Sequence, residues 1–121
     1  MPNAFADPET HLPLSGQHYH ILLALGNEAM HGYGIIQAFE AMTEGRETLL
    51  PGSLYAALGR LVEVGLLEET EPPAGVASGG PRRRYYRVTD LGRAVARAES
   101  SRLARLLELA RGRNLAPGAS G

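Results

Sequence analysis

The 121-residue chain contains no cysteine and no lysine. Without cysteine, disulfides and thiolate metal sites are excluded. Long apolar runs are missing too: the longest aliphatic stretch, ILLAL at 21–25, is far too short to cross a bilayer. The opening residues, MPNAFADPETHLPLSG, have neither the basic start nor the apolar centre of a secretory signal, so a cytoplasmic protein with no membrane partner is expected. No GxSxG elbow, HExxH pair or convincing catalytic pair of carboxylates occurs, and GVASGG (75–80) lacks the lysine of a phosphate loop. The expectation is therefore no enzyme and no cofactor.

Charge is scarce in total but uneven along the chain. The net formal charge is −1. Residues 1–50 hold six acids against Arg46 alone, whereas residues 51–121 hold eleven arginines against seven acids. Phosphate attraction acts over roughly 8–10 Å, so this local excess matters more than the total. Arginine also suits phosphate, because its fork makes bidentate contacts.

Residues 1–14 carry Pro2, Pro8 and Pro13 without apolar periodicity and read as a disordered arm. Ser15 is placed to cap a first helix to about Leu25, with Tyr19, Leu22 and Leu25 on its buried face. GNEAMHG reads as a loop. A second helix, about Tyr33 to Thr43, buries Ile35, Ile36, Phe39 and Met42 and stops at Gly45.

The stretch 50–87 organises the chain. Pro51 suits a helix first turn, Leu54, Leu58 and Leu61 recur at helical spacing, and Gly65 ends the helix. The opposite surface is slim, carrying Ser53, Ala56, Gly59, Arg60 and Glu63, so its backbone can approach another molecule closely. A strand (66–71), a loop (72–81), three arginines and a returning strand (84–88) follow, with Tyr86 and Val88 on one side and Tyr85 and Arg87 on the other. A helix buried on one side, followed by a basic hairpin, is the pattern of a winged helix-turn-helix.

Thr89 is placed to cap a final helix from about Asp90 to Arg113. Its apolar pattern shifts partway. Leu91, Ala94, Val95 and Ala98 form one stripe; Leu103, Leu106, Leu107 and Ala110 form another, rotated by roughly 100–120°. The first stripe can pack on its own domain, and a second copy of the chain is the simplest cover for the other. The expected fold is thus mainly α with a small β-hairpin (α+β). It comprises an arm (1–14), a winged helix-turn-helix DNA-binding domain (15–89), a C-terminal dimerisation helix (90–113) and a flexible tail (114–121).

HGYGI (31–35), GSLYAALGRLVEVGLL (52–67) and GGPRRRYYRVTDLG (79–92) together resemble the PadR family of bacterial transcriptional regulators, over about residues 18–111. The resemblance implies a homodimeric repressor of its own or a nearby promoter, released from operator DNA by a small-molecule effector. The serine and tyrosine of the family's recognition-helix block fall on Ser53 and Tyr55, the wing's glycines and bases on Gly79, Gly80, Arg82, Arg83 and Arg84, and a further tyrosine on Tyr33. Two positions depart from the pattern: His31 stands in place of an aromatic, and Pro81 separates the glycines from the arginines. Residues 89–121 hold no aromatic, which argues against flat ligands stacked between the dimer helices.

The expected DNA contacts are therefore Tyr33, Ser53, Tyr55, Ala56, Arg60, Gly79, Gly80, Arg82, Arg83 and Arg84. Arg60 can read guanine, reach a phosphate, or pair with Glu63 or Glu68. Tyr55 can offer its hydroxyl to a phosphate or serve the core. The arginine triplet can lie over a minor groove or the backbone, or remain a solvated cluster. Two other functions compete: a winged-helix module that binds protein through the Leu103–Ala110 stripe, and a metal sensor using His18, His20 and His31. The last has no carboxylate or cysteine to complete its ligand set, so no metal is expected.

Overall fold

The computed structural model describes residues 7–73 and 83–118. Ser15 accepts a hydrogen bond from the His18 amide and opens α1, Gly16–Leu25. A two-residue strand, β1 (Met30–His31), leads directly into α2, Gly32–Met42. Pro51 starts α3, Pro51–Glu63, where its missing N–H costs no hydrogen bond. Gly65, with φ +85°, then turns the chain into β2, Leu67–Thr70. The chain returns through β3, Tyr85–Val88, to α4, Asp90–Gly112.

The sheet is larger than the expected hairpin. β3 lies in the middle, antiparallel to both neighbours, in the order β1-β3-β2. Met30 pairs with Tyr86 and His31 with Tyr85, so part of the expected GNEAMHG loop is a strand. On the other edge Leu67 pairs with Val88 and Thr70 with Tyr85. Both tyrosines are buried, because cover reaches both faces of β3 at this end.

One core joins all the elements. Ile21, Leu22 and Leu25 of α1, Ile35 and Phe39 of α2, and Leu54, Leu58 and Leu61 of α3 meet Leu66, Leu67 and Val95. α1 sits centrally and buries Ile21 and Ala24 as well as Leu22 and Leu25, a wider arc than the expected Tyr19 face. Tyr19 is only half-buried, and its hydroxyl is 2.7 Å from Ser100 Oγ on α4. On α2 the final turn overhangs the core, so Met42 is 54% exposed; Leu49 from the following connection is buried instead.

α4 is pinned at its start. Thr89 accepts from the Gly92 amide and donates to the Gly65 carbonyl at 2.6 Å, while the Thr89 amide donates to the Leu66 carbonyl. A β-carbon on Gly92 would fall 2.1 Å from that Leu66 oxygen, so only glycine permits this approach.

The described part of the N-terminal arm corrects the expectation of disorder. Asp7 caps a 3-10 turn, Pro8–His11, that packs on α4, and Leu12 and Leu14 lie against the core. Glu99 of α4 is 2% exposed and accepts from Arg102 Nε at 2.7 Å and Nη2 at 2.8 Å. The Leu14 backbone adds a further hydrogen bond to this carboxylate, whose pKa is lowered, chiefly because Arg102 hydrogen-bonds it. At the other end Asn114, with φ +61°, turns the chain, and Arg111 donates to the Pro117 carbonyl. The expected tail thus begins as a folded cap.

Candidate nucleic-acid interface

The helical wheel of α3 determines what it presents. Leu54, Ala57, Leu58 and Leu61 face the core. The outward ridge consists of Gly52, Ala56, Gly59 and Glu63, and beyond the helix's own local backbone nothing lies within 4 Å of where a Gly52 or Gly59 side chain would be. This is a slim, open surface. Tyr55 and Val62 flank it towards the sheet, and Ser53 and Arg60 flank it towards α1.

On the sheet side a cleft of about 600 Å³ lies between α3, the first turn of α2 and the residues leading into β3. Tyr33, Tyr55, Arg83 and Arg84 all line it. The two tyrosine side chains are each 57% exposed, which excludes a core role for Tyr55. The Tyr55 ring nevertheless has a seat: it lies against the backbone of Gly32, where a β-carbon would come within 2.9 Å of three ring-end atoms.

The arginines are held differently. Arg84 is 3.6 Å from Glu69, and Arg87 donates to Glu68. Arg83 has no carboxylate within salt-bridge distance among the described residues. Its Nη1 instead lies 3.0 Å from His31 Nε2. The other ring nitrogen of His31, Nδ1, accepts the Gly34 amide at 3.0 Å and thereby caps α2. Burial, then the nearby Arg83 charge, lowers the His31 pKa. The cleft therefore carries cations and phenols, with one arginine still lacking an anion.

Ser53 and Arg60 occupy the other flank. Ser53 accepts from Gln17 at 2.9 Å, and Arg60 pairs with Glu63 at 3.1 Å, one of the two partners foreseen for it. Both charged groups of that pair are well exposed, so it is weak and readily exchanged. A second cleft here, of about 320 Å³, is bordered by Leu14, His18, Arg60 and Val64. Burial first, and then Arg60, lowers the His18 pKa. Gly79, Gly80 and Arg82 lie outside the described residues.

Sequence reasoning missed His31, Gly32 and Gln17 as contributors. His31 was hidden because histidine is not among the usual capping residues, although its place just before GYGII marked the helix start. Nothing local to Gly32 signals its contact with a ring twenty-three residues later.

Beyond Arg102, α4 runs on with its apolar stripe uncovered. Leu103, Leu106 and Leu107 are 37–47% exposed and Ala110 is half-buried. Among the described residues no group of three or more histidines and acids could hold a metal ion, and no helix is long and apolar enough to cross a membrane.

Comparison with known proteins fits this geometry. The profile of the transcriptional regulator PadR-like family matches residues 21–98. A PadR-like transcription factor from Bacteroides fragilis is 28% identical, over 78% of this chain and 86% of its own, with a TM-score of 0.64. A PadR family transcription regulator from Clostridium difficile, 21% identical, covers 81% of this chain and 97% of its own at a TM-score of 0.66. Bacillus subtilis PadR in complex with operator DNA, 17% identical, covers 84% of this chain and 64% of its own at a TM-score of 0.60, a likeness of fold. No curated protein matches the sequence significantly.

Proposed function

Because the chain belongs to the PadR-like family of transcriptional regulators, we propose that it acts as a homodimeric repressor that binds a two-fold operator in double-stranded DNA. It is a regulator rather than an enzyme. The observation that carries the DNA reading is Arg83, a cation without a carboxylate partner among the described residues, at a cleft shared with Tyr33 and Tyr55. Phosphate supplies what that arginine lacks, and the phenols can donate to neighbouring phosphate oxygens. The ridge of Gly52, Ala56 and Gly59 is narrow enough to let α3 approach base edges in a major groove. Arg84 strengthens the wing, and Arg60 adds a cation on the far flank once it leaves Glu63. Gly79, Gly80 and Arg82 extend the same basic wing by sequence. Ser53, already engaged by Gln17, orients the helix rather than leading recognition.

Dimerisation is supported by the Leu103–Leu106–Leu107–Ala110 stripe, which the rest of the described chain leaves uncovered. Repression of its own or a nearby promoter, release by a small-molecule effector, and a cytoplasmic, nucleoid-associated location follow from the family resemblance. The test is fluorescence-anisotropy binding to the DNA upstream of its own gene, against scrambled duplex, over a salt series. Selective binding with a steep salt slope is expected. Arg83→Ala should weaken binding to every sequence and lower the slope by about two per dimer, one phosphate per protomer. Equal, weak binding to both duplexes, together with a monomeric chain, would favour the protein-interaction module instead.

A further inference from the structure

His31 is asked for more than an imidazole can give. The Gly34 amide points a hydrogen at Nδ1, which requires the lone pair there. Arg83 Nη1 approaches Nε2 at 3.0 Å, and a guanidinium has only hydrogens to offer, so this contact requires the lone pair at Nε2. A neutral ring has one such lone pair, and a protonated ring has none. The two partners therefore compete for one acceptor.

From this geometry we infer that His31 is a positioning residue for the wing, whose two neutral tautomers alternately cap α2 and hold Arg83. With the hydrogen on Nε2, the ring caps α2 and turns a donor towards Arg83, which is then free to leave. With the hydrogen on Nδ1, Arg83 is held and the Gly34 amide loses its partner at the helix start. That start carries Gly32 and Tyr33, so tying down Arg83 loosens the turn that seats Tyr55 and presents Tyr33. A phosphate that takes Arg83 leaves the ring to the cap, and the two sides of the cleft become ordered together. This last step rests on the proposed DNA binding; the competition itself does not.

The test reads the tautomer directly. Imidazole ¹⁵N shifts of the full-length protein, recorded near pH 8 so that the ring is neutral, are compared with those of Arg83→Ala. Intermediate shifts are expected in the wild type, and the pure Nε2–H pattern in Arg83→Ala. The same pure pattern in both proteins would overturn the inference, whatever happens with DNA. Adding the upstream duplex to wild type should move its shifts to the Arg83→Ala pattern; intermediate shifts retained in the DNA-bound protein would also overturn it. If no duplex binds, the proposed function fails while the free-protein comparison still decides the competition.

A second variant supplies an inverted sign. His31→Asn retains a good capping side chain but is too short to hold Arg83 as well. It should bind DNA about twofold more tightly per protomer, about fourfold for the dimer, if the held state is half populated in wild type. Weaker binding by a folded His31→Asn would mean that His31 is an ordinary contact, and the inference would fall.

Discussion

The Tyr55 ring rests on the backbone of Gly32, close enough that an added methyl group would fall 2.7 Å from the phenolic oxygen. The ring end of an exposed tyrosine can swing away, and alanine is well tolerated in a helix first turn. Gly32→Ala should therefore leave the melting temperature nearly unchanged. If Tyr55 contacts phosphate, DNA affinity should fall about fivefold per protomer, roughly one hydrogen bond's worth. Thermal melting and anisotropy on the same preparation check both halves.

Gly92→Ala should behave in the opposite way. Its new β-carbon would meet Val88 Cγ1 and the Leu66 carbonyl, and the carbonyl cannot move aside without shifting the backbone that leads into β2. Forcing the start of α4 off Leu66 should cost about 3 kcal/mol. Urea unfolding should show the midpoint shift, in contrast to the silent Gly32→Ala.

The uncovered stripe on α4 makes a separable prediction. Leu103→Glu combined with Leu107→Glu should convert dimer to monomer in light scattering, since each leucine buried at such a contact contributes about 1.5–3 kcal/mol. Helical content should stay the same, because both side chains are exposed in the single chain. DNA binding should then lose its two-fold avidity.

Stability should fall on mild acidification. The pKa values of His18 and His31 are lowered in the folded chain by burial and by Arg60 and Arg83 respectively. Groups depressed in this way stabilise the fold above their unfolded value near 6.5, and the contribution is lost as pH falls through the folded values. Glu69 and Arg84 share the His31 cleft. Melting temperature should decline as pH falls through and below about 6.5, and His31→Asn should flatten that decline. Glu99 produces a later limb: Arg102 lowers the pKa of its carboxylate, so its contribution is present above the unfolded carboxylate value and is lost as pH falls through the folded one.

Most of the helical frame was legible because its signals are local. Ser15, Pro51, Gly65 and Thr89 mark boundaries through their own backbone chemistry, and each lies where the chain turns. What escaped is non-local. β1 has two residues, too few for a periodic pattern, and exists only because β3 offers it hydrogen bonds. Leu12, Leu14 and Glu99 give the proline-rich arm its place through packing that no window of adjacent residues displays. In the candidate interface, Tyr33, Tyr55, Arg83 and Arg84 share one cleft as a basic wing beside α3 implied. Ser53 and Arg60 went to the opposite flank because the α3 wheel, rather than sequence proximity, decides which neighbour each meets.

The pinned start of α4 has a mechanical consequence. A helix of 23 residues rises about 34 Å along its axis, so it is a long lever on a short pivot. The pivot is hard: the Leu66 carbonyl meets Gly92 without room for a methyl group, and Thr89 locks the adjoining backbone. A tilt of about 5° there would carry the far end through about 3 Å. In a two-fold pair joined at that end, the distance between the two α3 ridges is set like the span of a caliper, by an angle fixed at Gly92.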